Sequence, residues 1–439
     1  MKVFLLQSYL GRAEKPIYPL GLACLGACLP DYDVRAFDPN VSADPYGELA
    51  QRLEQFQPDV VGVSLRNIDT TQYRDPFLYI TALRPTLDVI LKRAPNARRI
   101  IGGSGFSLFA PAIMQRFPEF DFGVLLEAEA SFPALLAQSD RPQAVPGIFY
   151  RADGRVQLSS PPQLPDFDAL PSPRWDIVDI KPYSHLLDAF GVQAKRGCGL
   201  RCAYCTYFFL NGSHYRLRSP EKIVAEIADL KNRFGVKTFI FVDSIFNIPL
   251  QHAEAICREL IRQKANIPWS AWYNERVFTS DFYQLAREAG CRHFSFSPDA
   301  YSDRALNMLQ KDLRVKDIKK VFDIACQADG ADFGWNFFVN PPGQTYADFF
   351  RLMLFWLKTR IYLRGRLYGF GLGNIRIEPD TAMHRLALEQ GVINHGTDLL
   401  PDSVADLRRL FYTNPRTPLI NSAFKFYGFL AGIKHRIAS

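Results

Sequence analysis

A chain of 439 residues is too long for one ordinary domain and predicts two or three. Its 48% hydrophobic and 22% charged residues are those of a folded globular protein, which excludes a disordered or fibrous class. The net charge of +7 is spread along the chain, excluding the basic stripe of a nucleic-acid-binding domain and lending weak support to an anionic ligand.

The opening MKVFLLQSYLGRAEK is too short in its apolar run, and lacks the small-residue cleavage site, for a signal peptide. No run of about 18 apolar residues is available to span a membrane. Residues 1–150 then alternate strand and helix signals. KVFLL (2–6), DVRAF (33–37), VVGVSL (60–65), RRIIGG (98–103) and FGVLL (122–126) read as buried parallel strands. Helical segments fall near 19–29, 45–56, 77–94, 109–117 and 129–137. The series predicts a flavodoxin-like, Rossmann-type α/β domain whose ligand edge comprises Gln7–Leu20, Ser64–Thr71 and Gly102–Phe106. Residues 151–190, rich in Pro and Asp, read as a surface linker without regular structure.

A second series follows over 191–385. GVQAKRG (191–197), TFIFVD (238–243), IPWSAWYN (267–274), HFSFSP (293–298), DFGWNFFV (332–339) and YGFGLGNIRI (368–377) read as strands with helices between, in about six βα units. Among the barrel aromatics, Trp272 and Trp335 are candidates to meet a flat or apolar substrate, although ordinary packing accounts for most of the group. Residues 386–439 predict a small helical region. Its basic tail, ending FKFYGFLAGIKHRIAS, reads as a cap on the second domain, with a peripheral membrane helix as the alternative.

The chemistry-bearing run is Cys198-Gly199-Leu200-Arg201-Cys202-Ala203-Tyr204-Cys205. Thiolates at Cys198, Cys202 and Cys205 can ligate three irons of a [4Fe–4S] cube and leave the fourth open to bind and reduce a small ligand. The alternative is a zinc knuckle closed by His214, since structural zinc takes four ligands. Lys195, Arg196 and Arg201 supply positive charge that would favour ionised thiols, and Gly197 and Gly199 allow a tight loop. The five remaining cysteines are scattered. Cys24 and Cys28 share a helix face as core thiols, and the pattern predicts a reducing, cytoplasmic compartment.

The spacing, with an aromatic residue just before the last cysteine, resembles the radical S-adenosylmethionine (SAM) superfamily. The resemblance implies that residues 191–385 form a partial (βα)6, TIM-type barrel. It also implies that the open iron chelates SAM and that electron transfer cleaves SAM to methionine and a 5′-deoxyadenosyl radical. Tyr204 would lie near the adenine. Asp243 and Ser244 resemble the family's "VDD-x-F" element, Asn274 and Ser297 end successive strands, and NIRIEPDT (374–381) would lay its backbone, at Ile377, along the adenine. About half of such strand-end polar residues are caps or turn formers.

The first domain resembles the cobalamin-binding branch of the same superfamily. Tyr18-Pro19-Leu20-Gly21-Leu22 matches its "YPLGL" segment and Gly102-Gly103-Ser104 its "GG" turn. The resemblance implies a corrin across the carboxyl edge of the sheet, touching Ser64, Leu65, Arg66 and Asn67, with Glu127 nearby. The D-x-H-x-x-G sequence of cobalamin mutases is absent, so no histidine from the first loop would ligate cobalt. Arg66, which cannot ligate a metal while protonated, would hold the lower face vacant, or would pair with Asp69 or Asp75. Leu126 stands where relatives usually carry Gly.

The implied cofactors are a [4Fe–4S] cluster, SAM and cobalamin. The implied activity is C-methylation, with a methyl moving from SAM through methylcobalamin to a substrate radical. Radical cyclisation, ring contraction or rearrangement without methyl transfer is the alternative. The partners would be a small-molecule or lipid-like substrate, an anionic one included, and an external one-electron reductant such as flavodoxin or ferredoxin, with no nucleic acid.

Overall fold

The structure, a computed structural model, describes residues 1–11 and 15–424. Strands β1 (Lys2–Gln7), β2 (Asp33–Phe37), β3 (Val60–Ser64), β4 (Arg98–Gly102) and β5 (Phe122–Val124) are parallel and ordered β2-β1-β3-β4-β5. Helices α1 (Leu20–Ala27), α2 (Pro45–Phe56), α3 (Leu83–Arg93), α4 (Ser104–Leu108), α5 (Ala110–Arg116) and α6 (Ala128–Ala137) connect and cover them. Both faces are covered, so the strands are near-continuous apolar runs: Val3, Phe4, Leu5 and Leu6 of β1 are at most 1% exposed. This is the doubly wound order the alternation predicts. Its switch point lies at the carboxyl ends of β1 and β3.

The sheet continues into what reads as linker. Strands β6 (Ile148–Ala152) and β7 (Arg155–Leu158) add antiparallel to β5. They are joined at Asp153 and Gly154, both with positive φ (50° and 73°), the requirement of a tight hairpin turn. The rest of the linker carries Trp175 and Tyr183 into a buried aromatic cluster with Tyr18 and Phe190.

In the second domain, β8 (Gly191–Val192) leads to β9 (Lys195–Arg196), α7 (Tyr207–Leu210) and β10 (Arg216–Leu217), which pairs back on β9. There follow α8 (Pro220–Phe234), β11 (Phe239–Phe241), α9 (Leu250–Arg262), β12 (Trp269–Tyr273), α10 (Ser280–Glu288), β13 (Cys291–Asp299), α11 (Asp303–Met308) and α12 (Val315–Gln327). The series ends with β14 (Asp332–Phe338), α13 (Tyr346–Leu363), β15 (Leu367–Gly373), α14 (Ala382–Glu389) and α15 (Val404–Arg409). Six strands form one parallel sheet, β8-β11-β12-β13-β14-β15. The tail prediction for 425–439 lies outside the described residues.

Alternation along the strands separates core from lumen. Phe294 and Phe296 of β13 pack outwards on Tyr273, Phe333 and Trp335, while Ser295 between them is only half-buried. Trp335, 1% exposed, meets Phe355 of α13, so it belongs to the sheet–helix layer and not to the lumen. Trp272 is half-buried. On β14 and β15, Asn336 and Phe338 pair with Gly371 and Gly373, and Gly334 with Gly369, so this wall is mostly glycine. A Cβ on Gly369 or Gly373 would meet nothing within 4 Å. One on Gly371 would lie 2.1 Å from Asn336 Oδ1, so Asn336 already fills the middle of this wall.

Candidate active site at the domain cleft

The cysteine loop runs from β9 to α7 and is fixed through its backbone. Cys198 N–H donates to Gly212 O (3.0 Å), Ala203 N–H to Leu309 O (2.8 Å), and Met383 N–H to Ala203 O (2.7 Å). Gly197 has φ +94°, and a Cβ there would lie 1.9 Å from His214 O, so only glycine fits. These backbone bonds hold the loop without the sulfurs of Cys198 and Cys202. Cys198 is buried, Cys202 and Cys205 partly so. Burial pushes the Cys202 thiol up and the Cys205 thiol to about 12. Metal binding at this loop thus releases protons.

The positive charge beside these thiols is not the one the local sequence suggests. Lys195 is buried and bonded to Asp243 Oδ2 (3.0 Å), and Arg196 reaches Glu127 (2.9 Å) and Glu129 (2.6 Å). Arg201 is exposed. Lys311, from the loop after α11, acts on Cys202 and Cys205 instead. It pairs with Asp299 (2.6 Å), whose carboxylate also takes the Tyr204 hydroxyl. Burial opposes its charge, yet Asp299, Tyr204 and Cys202 together hold Lys311 well above the ordinary lysine range. No local signal in the sequence points to Lys311, which is 106 residues beyond Cys205.

Two donors suit metal-bound thiolates. Tyr207 N–H points at Cys205 Sγ (3.5 Å). The Tyr215 hydroxyl, buried beside Cys198, has no hydrogen-bond partner of good geometry among the described residues. A metal-bound thiolate would accept from it. Among the described residues no three His, Cys, Asp or Glu side chains converge closely enough to share one ion. A cube takes one thiolate on each of three different irons, which suits thiols spread along a loop. His214 is exposed, its ring 3.2 Å from Ser213 Oγ.

The other sequence-derived barrel positions divide. Ser244 lines the cleft, with its hydroxyl on Gly197 O (3.3 Å). Asp243 also lines it, but its carboxylate is occupied by the Ala194 and Lys195 N–H groups (2.9 and 3.2 Å) and the Lys195 ammonium. Ser297 is half-buried at the irregular end of β13. Asn274 is buried, exchanging backbone bonds with the Asn247 amide (2.8 and 2.9 Å). Ile377 is fully buried, its N–H on Leu410 O (2.8 Å).

Across the cleft lies the carboxyl edge of the first sheet. The Tyr18 ring is turned away into the aromatic cluster, its hydroxyl on Trp175 O (2.7 Å), while Pro19 and Leu20 line the cleft. Leu65 is fully buried and accepts the Gly105 N–H (2.9 Å). Gly103, at φ +101°, has Leu65 O 2.6 Å from its ideal Cβ position, so the protein's own backbone requires glycine there. Gly102 and Ser64 line the cleft beside it, and the Ser104 hydroxyl bonds Arg66 O (2.7 Å). Arg66 and Asn67 are exposed into the cleft. Asp69 pairs with Arg376 (2.9 Å) and so does not hold Arg66. Glu127 does not face a ligand freely either: Arg196 and Arg216 both bond it, closing the first domain onto the second. Leu126 takes the left-handed φ of +64°.

Three cavities of about 590, 390 and 230 Å³ meet here, and all three are lined by Gln193. The largest lies between the two sheet edges, bordered by Arg66, Tyr207, Ser244 and Arg376. The smallest runs beside Gly62 and Gly102 between α1 and α6. A planar ligand between the domains, with an arm inserted into the first sheet, fits this shape. Residues 192–355 match the model of the radical SAM superfamily, and residues 7–136 match the B12 binding domain. The chain belongs to the cobalamin-binding radical SAM family.

Its relatives are distant. An uncharacterized methyltransferase of Pyrococcus horikoshii is 25% identical over 300 residues, 67% of this chain and 63% of its own length. The anaerobic magnesium-protoporphyrin IX monomethyl ester cyclase of Cereibacter sphaeroides is 27% identical over 300 residues, 64% of this chain and 46% of its own. The chain thus matches less than two thirds of either relative. The fold is shared with the radical SAM methyltransferase TsrM of Kitasatospora setae, solved with cobalamin and a [4Fe–4S] cluster: TM-score 0.79, 20% identity, 95% of this chain and 88% of that one. Within the family, the cofactors are the cluster, SAM and cobalamin, and the residues present fit them.

Proposed function

We propose that the chain is a cobalamin-dependent radical SAM enzyme that methylates a carbon of a small or lipid-like substrate. The observation that carries this reading is the cleft itself, with the three-thiol loop on one wall and the open carboxyl edge of the B12-type sheet on the other. Methyltransferase names recur among the relatives. When bound, the cluster supplies the electron that cleaves SAM, and the corrinoid supplies a metal centre able to carry a methyl group.

The chain's own residues hold and enclose these groups. Cys198, Cys202 and Cys205 would hold the cluster, with Tyr215 and the Tyr207 N–H donating to its sulfurs. Ser244, Ser297 and the neighbourhood of Tyr204 are proposed for SAM, and Ser64, Asn67, Gly102 and Ser104 for the corrin. Arg66, lacking a carboxylate partner among the described residues, would present a charged, non-ligating group to the corrin face. The Arg196–Glu127–Arg216 and Arg376–Asp69 pairs keep the walls together. An external one-electron reductant is required, and the eight unpaired cysteines suit a cytoplasmic setting.

The second reading, radical cyclisation without methyl transfer, is favoured by the glycine wall of the lumen, which would accept a flat substrate, and by the cyclase relative. Anaerobic reconstitution with iron, sulfide and hydroxocobalamin, followed by SAM and reductant, separates the two. Retained corrinoid with S-adenosylhomocysteine formation supports methylation. Corrinoid with 5′-deoxyadenosine alone supports cyclisation, and failure to retain corrinoid overturns both.

A further inference from the structure

Helix α13 is apolar on two opposite sides. Leu352, Phe355 and Leu363 pack on the barrel, as does Thr359. Directly opposite, Phe350, Leu354, Leu357 and Ile361 are 63%, 50%, 48% and 57% exposed. Their i, i+4, i+7, i+11 spacing makes one straight stripe about 16 Å long. Such a stripe on the outside of a barrel is more than the scattered apolar residues of an ordinary surface.

Cations flank it on both sides. At 100° per residue, Arg351 and Lys358 fall on one margin and Arg360 on the other, with Arg364 exposed just past the C-terminal end. Lys358 lies over the Phe322 ring (4.7 Å) and Arg360 over the Trp356 ring (5.3 Å), so their stems follow apolar surface while the charges stay at the margin. The helix has one acidic residue, Asp348, which is buried in the N-terminal capping box and pairs with Arg351 (3.1 Å), leaving Lys358 and Arg360 as its free cations. Exposed Tyr346 (47%) and Tyr362 (59%) stand near the two ends of the helix, as interfacial aromatics do.

We propose that the outer face of α13 docks on an anionic lipid surface, lying in the headgroup layer. No described helix is long and apolar enough to cross a membrane, so the contact is peripheral. Charge selects this occupant. A second copy docked two-fold would set cations against cations. The segment 425–439 carries Lys425, Lys434 and Arg436 with no acidic residue, so it too would be repelled. The proposal is independent of which reaction the cleft performs.

The test is sedimentation of the full chain with equimolar phosphatidylglycerol–phosphatidylcholine vesicles and with phosphatidylcholine alone. Wild type is expected to partition to the anionic vesicles only. Lys358→Gln/Arg360→Gln/Arg364→Gln should weaken partitioning roughly fivefold per cation removed, and Phe350→Ser/Leu354→Ser should weaken it comparably. These side chains are exposed, so both variants should melt as wild type does, and Lys434→Gln/Arg436→Gln should bind more tightly than either. No partitioning by wild type overturns the proposal. So does equal partitioning by wild type and both α13 variants, or a wild-type dimer that Phe350→Ser dissolves.

Discussion

The two walls of the cleft are built on different principles. On the barrel wall, the cysteine loop is pinned by backbone bonds at Cys198 and Ala203, so its side chains stay free for chemistry. On the wall of the first sheet, most residues that resemble ligand contacts are held by the protein itself. Tyr18 anchors the linker, Leu65 is core, Gly103 makes room for Leu65, and Glu127 clamps two arginines. A recurrent motif can therefore mark a ligand's scaffold as readily as its contacts.

The sharpest test of that contrast is Cys202→Ala. If the loop is pinned independently of its sulfurs, the variant should melt within about 1 kcal/mol of wild type, as substitutions away from buried features do. Its cluster absorbance and SAM cleavage should be lost. A large loss of stability would break the comparison, because the thiols would then be structural too.

Asp243 is the barrel wall's exception, and substituting it asks on which side it belongs. Removing one partner from a buried ion pair costs about 3–5 kcal/mol, since the other charge is left uncompensated. Both Lys195 and Asp243 side chains are at most 1% exposed. Asp243→Ala should therefore lower stability on that scale in chemical denaturation without SAM present. An unchanged melt with a raised KM for SAM would instead make Asp243 a direct contact.

What was legible follows from the range of each interaction. Strand alternation and the C-x3-C-x2-C run are local, so the five parallel strands, the six-stranded second sheet and the loop could all be read from the chain. The β6–β7 hairpin was also readable: Asp153-Gly154 is a strong turn signal between alternating residues, but the neighbouring prolines suggested a linker. Lys311 beside the thiols and Arg376 on Asp69, 307 residues apart, leave no local trace. The same holds for the outward side of Trp335, because strand periodicity shows that faces alternate without showing which face is the lumen.

Glu275 tests the barrel interior through pH. It is 1% exposed, its Oε1 has no hydrogen-bond partner among the described residues, and burial pushes its carboxyl from 4.5 to about 8, against the pull of Lys311. Between those values the folded chain holds a proton that the unfolded chain has released. Stability from this group is therefore full below about 4.5, falls as pH rises to about 8, and is level beyond. Glu275→Gln should flatten that slope and leave the variant more stable than wild type at pH 8 in urea titrations. Parallel slopes for the two proteins would show that the carboxylate is solvated or paired.

The smallest effect is expected at Leu126, on the wall of the first sheet. Its φ of +64° costs an L-residue about 1–2 kcal/mol that glycine does not bear. Its side chain, however, is half-buried against the core, and glycine gives up that contact and adds unfolded-state entropy of about 0.5–1 kcal/mol. The two effects oppose, so Leu126→Gly should lie within about 1 kcal/mol of wild type. Leu125→Ala, next to it in the buried core at 8% exposure, should lose about 2–5 kcal/mol. The Leu126 side chain also lines the smallest cavity. If that cavity takes an arm of the corrinoid, Leu126→Gly should bind hydroxocobalamin at least as tightly as wild type. Weaker binding would mean that Leu126 is a contact, and that this wall too leaves side chains free for its ligand.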